Sequence, residues 1–465
     1  MNSNRNRRYS VDEVDASPTN LRIWLCAFAI FLLTNPFAFI LNGTDPSIGA
    51  VKDFATLRSA EASQWPLYAV RLLAMGIAFI FASRERRSIS RSVFFLWPLA
   101  LYFLWAMASL SWTDSVNTTL NALISFGMLI ATSYFITVQF KPAYLAKATI
   151  YSGVLMAIFS IIFAILLPHY GVHSADDASQ SVHAGSWRGV YAHKNHLGQM
   201  SAIYAVGILM AGRTLLPAWQ KIGFFGLMMM LVLLSRSASA IAIILIAPCI
   251  VWVAIGLNIK QRLLAFFFLM IVAVGGYITI SALLEALGRD LTFTGRTTIW
   301  AIAIEALSLR PLSGYGFLST TYGDFTYDVQ SVMGVTDPHS SYFDILLGLG
   351  FTGLALFVVP VFYALKAGRQ LYVAGGGERQ CALVLCGMMV AWLLAGLTEA
   401  NSRPFVAMFA IGIFSTMVMV KRAPRRIPRL RHGRRKIRGG ARFLRNPADV
   451  SGANDMIGRE SPGQI

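Results

Sequence analysis

The chain has 465 residues, of which 56% are hydrophobic and only 13% charged, with a formal net charge of +18 and a mean hydropathy of +0.58. A soluble domain carries about 25% charged residues, so this composition excludes a soluble enzyme and reads as a polytopic membrane protein. The four cysteines, Cys26, Cys249, Cys381 and Cys386, contain no Cys-x-x-Cys pair, which excludes a disulfide framework and a zinc signature.

Apolar runs long enough to cross about 30 Å of hydrocarbon recur from end to end, so the expected fold class is all-α with about twelve transmembrane helices. Residues 1–21 form an N-terminal tail carrying Arg5, Arg7 and Arg8, followed by an apolar stretch with no small-x-small site, unlike a cleaved signal peptide. The first six spans are Arg22–Leu41, Pro66–Ala82, Val93–Ser111, Leu120–Phe140, Ala148–Leu167 and Leu197–Gly212. The next three are Ile222–Leu234, short enough to be re-entrant, Ala238–Leu257 and Leu264–Leu284. Ser341–Leu365, Leu383–Leu397 and Pro404–Val420 complete the domain over residues 22–420. Arg71 is a lone charge deep in a span, either a structural partner of backbone or a lining of the same cavity as the outer residues.

Basic residues alternate along this plan. Arg84, Arg86, Arg87, Arg91, Lys141, Lys147, Arg213, Lys221, Lys260, Arg262, Lys366, Arg369 and Arg379 fall on one side, which the positive-inside rule makes cytoplasmic together with both termini. Two longer polar loops, 168–196 and 285–340, then face outward, and they hold six of the seven histidines. Residues 421–465 form a basic, partly disordered tail. Its Lys421 to Arg445 stretch carries twelve Lys and Arg residues directly after a span, so anionic lipid headgroups are the expected partner rather than nucleic acid.

The first outer loop contains Trp187-Arg188-Gly189, Tyr191 and His193-Lys194-Asn195-His196. Arg188 offers a planar fork of donors suited to phosphate oxygens and Lys194 a point charge, while Trp187 and Tyr191 suit the interface or a sugar ring. His193 and His196 would share a helical face as metal ligands do, but no nearby carboxylate completes a site, and neither metal nor cofactor is expected. The second loop holds Gly295-Arg296-Thr297-Thr298-Ile299-Trp300 and a helical run that Pro311 ends. Thr297 or Thr298 can cap that helix, leaving Arg296 at its positive end. Pro311-Leu312-Ser313-Gly314-Tyr315-Gly316 follows, and the loop closes on Asp337-Pro338-His339 before a span with Gly348, Gly350 and Gly353. Arg236 sits at a break between two apolar runs, an expensive place for a cation without a function.

Three of these segments resemble the O-antigen ligase and polymerase superfamily, closest to its exopolysaccharide polymerase (ExoQ-like) branch. His339-Ser340, nine residues and Gly350-Phe-Thr-Gly353 resemble the family's His-[Asn/Ser/Gln]-x9-Gly-x-x-Gly signature. Gly295-Arg296 with Trp300 and Pro311 to Gly316 resembles the Gly-Arg…Trp…Pro-x-x-Gly-x-Gly block, and Trp187-Arg188-Gly189 with His193-Lys-Asn195 resembles the loop before the sixth span. The resemblance implies a metal-independent glycosyltransferase at the periplasmic face of a bacterial inner membrane. It implies a substrate of undecaprenyl-diphosphate-linked oligosaccharide, with chain-length regulators and export proteins as further partners. His339 is then the expected general base, with Arg296 and Arg188 as the catalytic cations. Arg236, Lys194, Asn195, His193, Tyr315 and Trp187 are expected to bind substrate. Polymerase is favoured over ligase to a lipid A core by the Trp-Arg-Gly…His-Lys-Asn run. A twelve-span carrier is the distant alternative, weakened because no carboxylate lies deep in a span; Asp344 and Glu399 lie at span ends.

Overall fold

The computed structural model describes residues 19–41, 65–83, 96–177, 181–258, 260–261, 296–319 and 338–399. The expected spans Leu264–Leu284 and Pro404–Val420, the basic tail, Gly295 and Asp337 lie outside the described residues. What is described is α-helical throughout, with no strand beyond an isolated bridge between Val172 and Trp187.

In chain order the helices are α1 (Asn20–Leu33), α2 (Trp65–Ala82), α3 (Trp97–Ala108), α4 (Val116–Gln139), α5 (Pro142–Leu166), α6 (Lys194–Met210) and α7 (Ala218–Ser235). They continue with α8 (Ala238–Val251), α9 (Arg296–Leu309), α10 (Ser341–Ala374) and α11 (Gly376–Ala395). Among the described residues seven helices are long and apolar enough to cross a membrane. The chain is an all-α, multi-pass membrane protein.

The helices bury small and polar residues alongside large apolar ones such as Phe31, Leu99, Ile136 and Tyr204, and they also expose large apolar side chains outward, as a bundle in lipid allows. α6 is the central rod, buried from Leu197 to Ile208 against α7, α8 and α11. Buried hydroxyls bond their own helices: Thr132 to the Met128 carbonyl at 2.7 Å, Thr149 to Leu145 at 2.9 Å. Outward, α2 exposes Leu72, Leu73, Phe79 and Ile80, and α5 exposes Ile158, Ile162 and Ile165.

Three spans differ from the hydropathy reading. The first breaks after Leu33, because Pro36 cannot continue the helix and Asn35 and Phe37 take left-handed backbone (φ 53 and 62). There the Phe37 amide donates to the Val190 carbonyl at 2.8 Å, and Tyr191 Oη bonds Thr34 Oγ1 at 3.0 Å. The seventh span is no short hairpin: polar Gln220 and Lys221 extend it into the 18-residue helix α7. The tenth bends at Gly350 (φ 68), inside α10.

That bend is where two of the glycine-rich segments meet. A Cβ on Gly350 would lie 2.3 Å from the Leu312 carbonyl, and one on Gly314 2.5 Å from the Gly348 backbone, so only glycine permits the approach. The carbonyls released at the bend find outside donors. Leu347 O accepts from the Tyr315 amide and Gly348 O from the Gly316 amide, each at 2.8 Å, while Leu349 O accepts from Trp105 Nε1 at 3.1 Å. The Phe351 amide donates in turn to Pro311 O at 2.8 Å. Irregular backbone within a membrane domain persists only when its polar groups are satisfied in this way.

Candidate active site

Four chain segments converge at one end of the bundle: the loop before α6, the turn at Arg236, the turn before α10 and the turn after α11. Each is tied to another by hydrogen bonds. Lys194 Nζ donates to Arg236 O at 3.4 Å, Asn195 Nδ2 to Glu399 Oε1 at 2.6 Å, and the Ser341 amide to Gly396 O at 2.8 Å.

The loop from Pro168 to His193 folds back on itself. The Arg188 and Gly189 amides both donate to Gly171 O at 2.9 Å, and the His173 amide donates to Ser186 O at 2.9 Å. Arg188 is enclosed by this fold, with 1% of its surface exposed. Its Nε donates to Tyr170 O at 2.9 Å, Nη2 to His169 O at 2.6 Å and Nη1 to Asp177 Oδ2 at 2.9 Å. The guanidinium expected at a diphosphate therefore lies in the loop's interior. Asp177 also meets His173 Nδ1 at 2.9 Å. Burial pushes the His173 imidazole down to about 4 against the hydrogen bond to Asp177, and the Arg188 charge adds to the fall.

Other predicted residues are also drawn into framework contacts. Tyr191 is 3% exposed and turned inward to Thr34, not outward to the interface or a sugar. Trp187 is half-buried against the core, and its amide donates to Leu234 O at 3.0 Å. Tyr315 Oη donates to Ala306 O at 2.8 Å, with the Arg310 guanidinium 4.8 Å above its ring. His193 is not on the helix but caps it, its Nδ1 accepting from the Asn195 amide at 3.2 Å. The rings of His173, His183 and His193 stand 5.3 to 5.8 Å apart, and His196 lies 6.2 Å from His193. Burial holds His193 well below the ordinary histidine range, with charge on His196 adding to it. Among the described residues no group of three His, Cys, Asp or Glu is arranged to hold a metal ion.

Arg236 and Lys194 are less enclosed than Arg188. Arg236 is exposed, in a left-handed conformation (φ 51) that closes α7, and Lys194 is half-buried beside it. Burial lowers the Lys194 ammonium, with the Arg236 charge reinforcing the effect and Glu399 opposing it. Arg296 is the first residue of α9, so Thr298 lies inside the helix rather than capping it. Four residues on, Trp300 Nε1 donates to Pro338 O at 3.0 Å and its ring stacks on Phe343 at 5.6 Å. The first turn of α9 is thereby fixed against the turn that carries His339.

His339 holds a left-handed backbone (φ 49), a conformation that costs a non-glycine residue about 1–3 kcal/mol and clusters at functional sites. Its ring stays partly open, at 29% side-chain exposure, and Nδ1 lies 3.6 Å from Glu399 Oε2. Glu399 is 5% exposed. Burial alone would raise its carboxyl, but the His339 imidazole beside it and the neighbouring His196 and His193 outweigh it and hold the group at about 2. Ser341 Oγ donates to Glu399 O at 3.1 Å, and Gln199 Nε2 to Thr398 Oγ1 at 2.9 Å. Asn195 and Gln199, one turn apart on α6, thus grip the turn that presents Glu399. The motifs missed this carboxylate, which stands 204 residues from Asn195. The available signal was its place at the end of span eleven, on the face where His339 begins span ten.

The fold and site define a membrane protein with a polar, histidine-bearing constellation at one end of an apolar helix bundle. Residues 223–358 match the family model described as O-antigen ligase, a segment that includes Arg236, Arg296 and His339. The match supports the O-antigen ligase/polymerase superfamily, and with it a membrane glycan ligase or polymerase role. No curated protein matches the chain.

Proposed function

We propose that the protein polymerises undecaprenyl-diphosphate-linked oligosaccharide repeat units at the periplasmic face of a bacterial inner membrane, by glycosyl transfer without metal. The observation that carries this reading is the strained, half-open His339 paired to buried Glu399, at the bundle end where Lys194, Arg236 and the first turn of α9 gather.

In the proposed step an acceptor hydroxyl gives its proton to His339 Nε2 as its oxygen bonds the anomeric carbon. The bond from that carbon to the phosphate oxygen breaks, and the lipid diphosphate leaves with the electron pair. Glu399 on the Nδ1 side keeps that nitrogen protonated, leaves the lone pair on Nε2 and stabilises the imidazolium as it forms. Fixed cations take the place a divalent ion has elsewhere, neutralising charge that grows on the leaving group. Arg236, Lys194 and Arg296 are assigned that task. Arg188 is reassigned to holding the loop, with His193 as the cap of α6 and Trp187 and Tyr315 as supports; Asn195 positions Glu399. The twelve-span plan, both termini cytoplasmic, loops 168–196 and 285–340 outside, and lipid contact by the 421–465 tail complete the proposal.

The deciding experiment incubates purified protein with a lipid-linked repeat unit and a chelator. A ladder of lengthening lipid-linked products is expected. Transfer of one glycan to a lipid A core, with no ladder, would make the protein a ligase. Solute uptake into vesicles without glycosyl transfer would remove it from this chemistry.

A further inference from the structure

Arg71 lies outside the site above and plays no part in the proposed step. It is the seventh residue of α2, about 9 Å along the helix from Trp65 at the 1.5 Å rise per residue. Its side chain is 5% exposed. One Nη bonds Ser125 Oγ on α4, the other Asn35 Oδ1 at 3.2 Å, and Nε has no partner. Both partners are neutral. Among the described residues no carboxylate stands within ion-pair distance of this guanidinium.

A buried, uncompensated cation in a membrane domain is costly and by default functional. A purely structural link between α1, α2 and α4 needs hydrogen bonds, not a charge, and a Gln or Asn would supply them. An anion is the missing element. It would displace the neutral hydroxyl and amide readily, since hydrogen bonds to an ionised acceptor are about twice as strong. Leu72 and Leu73, the next residues on α2, are 46% and 54% exposed, so this helix borders the outer surface of the bundle. The place also joins the active end of the bundle. Asn35 sits in the break of the first span, whose neighbours Thr34 and Phe37 hold Tyr191 and Val190, just ahead of α6.

We propose that Arg71, with Asn35 and Ser125, forms a second phosphate-binding subsite that takes the headgroup of a polyprenyl diphosphate from the lipid phase. The ligand class rests on the reading above, in which each transfer releases such a carrier; the site itself rests on a buried guanidinium with neutral partners and, among the described residues, no carboxylate beside it. Retention of the released carrier here would clear the reaction centre for the next donor.

The test is native mass spectrometry of the full-length protein in detergent with undecaprenyl diphosphate, undecaprenol, phosphatidylglycerol or inorganic phosphate. Wild type is expected to retain undecaprenyl diphosphate well above the other three. Arg71→Met should lower that retention at least tenfold without changing retention of undecaprenol. Arg71→Lys keeps the charge and loses the fork, so it should bind several-fold more weakly than wild type and serves if the Met variant folds poorly. Unchanged retention in both variants overturns the subsite. Equal retention of phosphatidylglycerol makes it a general phospholipid contact and overturns the carrier assignment. The binding needs no turnover, so a failed polymerase assay leaves this measurement standing.

Discussion

Among the described residues two histidine–carboxylate pairs stand at the same end of the bundle, and they are built differently. His173 and Asp177 touch at 2.9 Å with side chains 0% and 2% exposed, and Arg188 closes the group with its whole fork. His339 and Glu399 stand 3.6 Å apart, with the imidazole 29% exposed and its backbone strained. The first pair is enclosed in the loop, with the Arg188 guanidinium on Asp177 and the Lys194 amide on His173 Nε2, and holds it together. The second stands partly open on a strained turn, where an arriving molecule can reach the imidazole. Residue type alone does not separate framework from chemistry; exposure does.

Four substitutions sharpen or break that contrast. The largest effect belongs to His339→Asn, which keeps a side chain tolerant of left-handed backbone and removes the base. Its kcat should fall by about 100- to 10,000-fold with normal membrane insertion, and near-normal polymer would take His339 out of the mechanism. Arg188→Met should act on stability instead. It leaves Asp177 charged and buried, at a cost of about 3–5 kcal/mol, read as a lowered thermal midpoint in detergent with KM unchanged in the protein that folds. A raised KM at an unchanged midpoint would return Arg188 to the substrate.

Glu399→Gln is expected to lower kcat by about 10- to 100-fold, as loss of an orienting partner does, with KM little altered and partial recovery in Glu399→Asp. The acid limb of the rate profile should move to lower pH, because the imidazolium loses its counter-charge while His183, His193, Lys194 and His196 remain around it. A melting defect with normal turnover per folded molecule would reduce Glu399 to a strut. The smallest change is Arg236→Asn, which suits the left-handed turn and should raise KM for the lipid-linked donor about tenfold, the scale of one charge-assisted hydrogen bond. Unaltered KM there would leave Lys194 and Arg296 to account for the anion.

Much of the fold was legible because lipid imposes a simple rule on long apolar runs. The ends of α2, α4, α5, α6 and α8 fall within a few residues of the hydropathy reading. The break at Thr34–Phe37 was marked by Asn35-Pro36 alone, and the apolar residues on both sides carried the span across it. His339 was singled out by its glycine-spaced motif, and the structure places it beside Glu399. The enclosure of Arg188 was not legible because it depends on two backbone carbonyls and on Asp177 eleven residues earlier, a geometry that no local pattern carries. Glu399 was passed over because its partners are remote in the chain and meet only when α6, α10 and α11 pack.

The clasp between Pro311–Gly316 and the bend of α10 carries a consequence for ancestry. Its contacts are main chain to main chain, so neither half can vary in shape without the other answering in the same generation. The two glycine-bearing stretches should therefore be inherited together, as one cassette. A chimaera joined between residues 316 and 348 of two relatives would mate mismatched surfaces, whereas one exchanging residues 311–353 whole should fold.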